Sequence, residues 1–162
     1  MKKMLFLACF LVGLAYAGET LYISETVKYK KGLRVRDNIK NECDLEGRIA
    51  DDIARFAKNA YNKVTRDKPS GKHHVLTVEI VDVFGAGGGA WSGPKYIELK
   101  GTLKDSNGNK VGSFRARRHS MGGPLGGISG TCKILKRCSK RLGQDVAEFL
   151  VDPEEDAYLG DA

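Results

Sequence analysis

At 162 residues, with 41% apolar and 29% charged side chains, the chain is long enough for one domain with its own core and too apolar to stay disordered. Its 27 Lys and Arg against 20 Asp and Glu leave a formal charge of +7, which permits anionic partners and demands none. The longest apolar run is well short of the roughly 20 residues a membrane-crossing helix needs.

That run lies at the start. Lys2 and Lys3 precede an apolar stretch from Met4 to Ala17, which ends Ala15-Tyr16-Ala17 before Gly18. This is the pattern of a secretory signal peptide cleaved after Ala17. Cys9, after Leu7-Ala8, invites a lipid-attachment reading, but it leaves a very short apolar region, and Phe6 stands where Leu is usual. A periplasmic or secreted location is therefore expected, with a single domain over 18–152 and an acidic tail over 153–162. Cleavage removes Lys2 and Lys3 and lowers the charge to +5.

Leu21, Ile23, Val27 and Tyr29 recur at even spacing and predict a first strand with one buried face. A basic, polar loop over 30–41 follows. Leu45, Ile49, Ile53, Phe56 and Ala60 recur at steps of three and four, which predicts a helix from Asp44 to Lys63. Asp44 and Glu46 near its start and Lys58 and Lys63 near its end suit the helix dipole. Val75 to Phe84 is rich in β-branched residues and predicts a central strand, with Leu76, Val78 and Ile80 toward the core.

A glycine-rich loop from Gly85 to Pro94 carries Trp91. Lys95–Lys104 and Lys110–His119 then predict a hairpin around Asn107-Gly108, a type I′ turn signal. This register pairs Leu103 with Gly112, Gly101 with Phe114 and Leu99 with Ala116 on an apolar face. It pairs Lys100 with Arg115, Glu98 with Arg117 and Tyr96 with His119 on a polar one. A slip by one residue would mix the two faces. A second glycine-rich loop spans Met121 to Gly130. Thr131 is expected to cap a helix from Cys132 to Leu150, with Leu135, Cys138, Leu142, Val146 and Phe149 as its buried stripe. Pro153 ends it, and the acidic tail is expected to be loose. The order β-α-β-β-β-α predicts an α+β domain, with two helices on one face of a mainly antiparallel sheet.

Export leaves Cys43, Cys132 and Cys138, and an oxidising compartment makes a disulfide the default. Cys132 and Cys138, six apart on one helix, stand about 9 Å apart along the axis and cannot bond to each other. Cys43–Cys132 is the preferred pairing and Cys43–Cys138 the alternative. An enzyme reading would use Cys132, in a first helical turn, as nucleophile and His119 as base, but no family signature surrounds either residue. His73 and His74 make a poor metal site, because neighbours on an extended chain point to opposite faces. No cofactor or metal is expected. The run "GGPLGGISGTCK" lacks the spacing of a P-loop, although free backbone N–H groups at Thr131–Lys133 permit an anion there.

Lys133, Lys136, Arg137, Lys140 and Arg141 crowd the N-terminal half of the last helix, where its dipole disfavours cations. Arg117 lies on the strand before it. A local rule broken without visible gain often marks function. These residues, Trp91 and the two glycine-rich loops form the candidate contact surface, for an unknown envelope protein or an anionic ligand.

Three stretches together, "GAGGGAWSGPK", "GTLKDSNGNKVGSF" and "GGISGTCKILKRCSKRLGQDVAEFL" before a proline, resemble an uncharacterised family of small exported bacterial proteins. The resemblance runs from about Asp37 to Gly160. The element order is similar, at fold level, to auxiliary components of bacterial envelope transport systems. These likenesses imply a bacterial periplasmic or secreted protein and carry over no catalytic residues. The leading expectation is thus a non-enzymatic binding or accessory protein of the bacterial envelope. The alternatives are a cysteine-dependent or hydrolytic enzyme using Cys132, and a weak binder of acidic polymer or nucleic acid. So modest a charge makes nucleic acid the less expected partner.

Overall fold

A computed structural model describes residues 19–68, 70–85, 95–120 and 130–162. Among the described residues seven strands form one sheet: β1 (Thr20–Ile23), β2 (Lys28–Tyr29), β3 (Lys63–Thr65), β4 (His74–Phe84), β5 (Lys95–Lys104), β6 (Lys110–Ser120) and β7 (Ala157–Gly160). Their order across the sheet is β3-β1-β4-β5-β6-β7, with β2 also paired to β4. The long β4–β5 and β5–β6 pairings are antiparallel and dominate the sheet. The short strands β1, β2, β3 and β7 attach in parallel. The helices are α1 (Asp37–Glu42), α2 (Leu45–Phe56) and α3 (Thr131–Phe149). The fold is α+β, as the element order predicts.

One apolar cluster joins the layers. Leu21 and Ile23 of β1, Leu76 and Ile80 of β4, and Leu99 of β5 are buried in the same cluster as Ile49 and Ile53 of α2. Leu135, Cys138, Leu142, Val146 and Phe149 line the buried side of α3, the predicted stripe. The two helices approach closely at Gly143, where an added Cβ would stand 2.8 Å from the Asp52 backbone. Ser139 beside it donates a buried 2.7 Å hydrogen bond to Asp52.

The β5–β6 register matches every pair read from the sequence, Gly101 opposite Phe114 and Glu98 opposite Arg117 included. The Phe114 ring lies over Gly101, where a Cβ would meet it at 2.3 Å. The turn that sets the register differs from the expected one. A type I′ turn needs positive φ at both Asn107 and Gly108, and only Gly108 has it, at +88°. The Asp105 carboxylate accepts the N–H groups of Asn107 and Asn109, both at 2.8 Å, and the Asp105 carbonyl accepts from Gly108 at 3.0 Å. Asx bonding thus selects a longer turn. A register shift beside Leu103 and Lys104 then restores the pairing that a two-residue turn would have produced.

Other boundaries move for related reasons. The first strand breaks after Ile23 and resumes at Lys28, both pieces running along β4. The loop over 30–41 contains the start of α1. The first long helix stops at Phe56, and the chain beyond it turns back so that β3 pairs with β1. Backbone pairing at that edge prevails over the helical periodicity that includes Ala60. A bulge in β4 between Ile80 and Asp82 puts Val83 opposite Ile97 and buries it, while Val78 is only partly buried. Thr131 is the first residue of α3 and Gly130 occupies its cap.

The acidic tail is not loose. β7 runs parallel to β6 and covers what would otherwise be an open sheet edge. Ser113 and Asp156 exchange hydrogen bonds of 2.9 and 3.0 Å, and Lys110 pairs with Glu155. Gly112 makes room for this docking, since a Cβ there would stand 2.8 Å from the Glu154 carbonyl oxygen.

Candidate functional site

The side of α3 opposite its buried stripe carries Lys133, Lys136, Arg137, Lys140 and Arg141, all exposed. The described residues include all 20 Asp and Glu of the chain, and none of these lies within ion-pair distance of those five cations. Arg141 has only a long 3.3 Å contact, to the Gln144 side-chain oxygen.

Between α3 and the end of β6 lies an open cleft of about 710 Å³. Arg137, Lys140 and Arg141 line the helix side, and Arg118, His119 and Ser120 line the strand side. Arg118 is already committed. Its guanidinium makes a two-point contact with Asp145 of α3, at 2.7 and 2.8 Å, and reaches Asp161 at 3.1 Å. The carboxylates, the Asp145 hydrogen bond first, push its pKa up and hold the charge in place.

Asp161 forms the rim. Its carboxylate accepts the His119 backbone N–H at 3.0 Å and contacts the His119 ring Nδ1 at 2.8 Å. These bonds, the backbone one foremost, hold its pKa below the ordinary carboxylate value. Cys138 closes the floor. It is the free thiol among the described residues, 2% exposed, with Sγ 3.8 Å from the Lys95 carbonyl. Burial pushes its pKa up to about 11, so it stays a thiol at neutral pH.

Cys43 and Cys132 are joined by a disulfide, their Cα atoms 4.9 Å apart. It ties the junction of α1 and α2 to the first turn of α3. The Cys132 nucleophile expectation is thereby overturned: a sulfur in a disulfide has no thiolate to attack with. The proposed base, His119, faces Asp161 instead.

Arg117 does not join the α3 face. Neighbouring strand residues point to opposite sides, so Arg118 faces α3 and Arg117 faces away. Arg117 lies 4.1 Å over the Tyr96 ring and 4.0 Å from Glu98, which also pairs with Arg115. Tyr96 donates to Asp82 at 2.7 Å and stacks on Phe84. Trp91 and most of both glycine-rich loops lie outside the described residues, as does the stretch predicted to be a signal peptide.

No group of three or more His, Cys, Asp or Glu among the described residues is placed to hold a metal ion. His73 and His74 diverge. The His73 ring bonds the Gly71 carbonyl at 2.7 Å, while buried His74 joins the Tyr61 hydroxyl at 2.8 Å and pairs with Glu19. Sequence reasoning missed that trio, of which Tyr61 and His74 are buried and Glu19 is exposed, and it missed Arg118, Asp145 and Asp161. The strand alternation that separates Arg117 from Arg118 was the available signal for part of this.

The chain shares its fold with a Xanthomonas campestris protein of the DUF330 family. The match covers 87% of this chain and 88% of that one, with a TM-score of 0.55 and 10% identity. Weaker likenesses are to PelC, a dodecamer from Paraburkholderia phytofirmans (TM-score 0.45, 12% identity, 84% and 88% covered), and to a lipoprotein from Neisseria meningitidis (0.44, 14%, 63% and 83%). No protein-family model and no curated protein matches the sequence. At such identity the DUF330 likeness speaks for the fold alone.

Proposed function

We propose that the protein is an exported accessory protein of the bacterial envelope that binds a partner and catalyses no reaction. The observation that carries this reading is the exposed basic face of α3. Five cations without a counter-charge crowd a helix half whose dipole opposes them. Such a face lowers the stability of the isolated protein, and an acidic surface on a partner offsets that cost. Arg117, on the other face of the sheet, and Trp91 remain candidate contacts. The leader-like N-terminus supports export, and no described helix is long and apolar enough to cross a membrane. The only reactive-cysteine arrangement the sequence offered is spent in a disulfide.

The test is capture by the oxidised, leader-free protein, cross-linked in envelope preparations and read by mass spectrometry. Reversing charge at Lys136 and Arg137 abolishes capture on this reading, and the fold, followed by circular dichroism, stays intact. Trp91→Ala is the parallel test for the first glycine-rich loop. Capture unchanged in both variants rejects the surface.

A further inference from the structure

We propose that the cleft between α3 and the end of β6 is a binding site for a phosphate group, either the free ion or the head of a phosphomonoester. The proposal rests on the reading of α3 as a contact surface and narrows it to one ligand chemistry.

The cleft already seats one oxyanion, its own Asp161. That carboxylate takes a backbone N–H and an arginine, and it faces the His119 ring. The Asp161 and Asp145 carboxylates are held by Arg118 and the end of β6. The opposite wall carries Arg137, Lys140 and Arg141, for which the chain supplies no acid. The unmatched positive charge thus lies on one side of a concave space, where the protein walls limit screening by water.

The size and donors fit. The cleft's volume of about 710 Å³ falls within the roughly 300–1,000 Å³ of small-ligand sites. Two guanidinium forks suit oxyanion edges, a lysine adds a point charge, and the Ser120 hydroxyl and Gln144 amide stand on the lining. The charge count selects among oxyanions. A carboxylate carries one negative charge and leaves most of the wall unmatched. A phosphate monoester carries about −1.5 to −2 at neutral pH and offers three acceptor oxygens.

The test is a titration of the oxidised, leader-free chain, labelled with nitrogen-15, with inorganic phosphate, glycerol 3-phosphate and acetate. Saturable amide shifts are expected at Ser120, Arg137, Lys140 and Arg141, with acetate weaker by about tenfold or more, as for the loss of one charge-assisted hydrogen bond. Equal affinity for phosphate and glycerol 3-phosphate points to the ion; tighter binding of the ester points to a monoester. R137Q/K140Q is expected to weaken phosphate about tenfold or more, and K133Q/K136Q, outside the cleft, by less than about threefold. Both pairs are exposed, so the folded spectrum serves as control. Equal weakening by the two variants, equal binding of acetate, or no saturable shift in the unaltered chain overturns the proposal. Loss of partner capture on charge reversal at Lys136 and Arg137, with no phosphate binding, would leave the contact surface standing and remove only the phosphate site.

Discussion

Removing the disulfide should cost this protein much of its stability. Cys43 and Cys132 are 89 residues apart in sequence, and the bond closes more than half of the domain into one loop. In the chain-entropy treatment a loop of that length restricts the unfolded chain by about 4.6 kcal/mol at 25 °C. Residual structure in the unfolded state subtracts from this, and loss of the buried Cys43 sulfur adds to it, so the expected cost is about 3–5 kcal/mol. Typical domains have only about 5–15 kcal/mol in all. The assay is urea unfolding of C43A/C132A against the oxidised parent, followed by far-ultraviolet circular dichroism. The midpoint should fall, and the slope should rise, because a chain freed of its crosslink exposes more surface on unfolding. Reducing the parent should reproduce the shift, with the mass confirming reduction. A loss below about 1 kcal/mol in both experiments would refute the reasoning, since the loop-closure term alone exceeds it severalfold.

Asp145→Asn should destabilise the fold by about 2–3 kcal/mol in the same assay, because it strips the charge from a buried carboxylate that holds Arg118 at two points. Cys138 should resist an exposed-thiol reagent near pH 8 in the native protein and react stoichiometrically in denaturant, since it is buried with a pKa pushed up to about 11; rapid native labelling would refute the closed floor. Hydrogen bonding, the His119 backbone N–H first, holds the Asp161 carboxyl below the ordinary carboxylate value, so its stabilisation is fully present above that ordinary value and is lost as pH falls through the lower folded value. The gap in stability between the parent and Asp161→Asn should therefore be constant near neutrality and close in acid; a gap independent of pH would refute the assignment.

Much of the architecture was legible because it rests on short-range patterns. The α3 stripe follows from helical period, and the β5–β6 register follows from alternation around a fixed turn position. The short parallel strands were not legible. β3 and β7 exist because the sheet edges beside them have unpaired backbone groups, and nothing within Lys63–Thr65 or Ala157–Gly160 announces that partner. The cleft was half legible. Its helix wall stood out as a charge conflict, while Arg118, Asp145 and Asp161 come from distant parts of the chain and have no common motif.

By itself, then, the sequence determined an α+β domain, the faces of its long elements and a cationic helix. Those properties depend on residues a few positions apart. Only the tertiary structure decided that Cys43 meets Cys132, that Arg118 of β6 meets Asp145 of α3, and that the acidic tail becomes an edge strand whose Asp161 seats at the rim of a basic cleft. Each depends on which surfaces packing brings within a few ångströms, and separation along the chain carries no record of that.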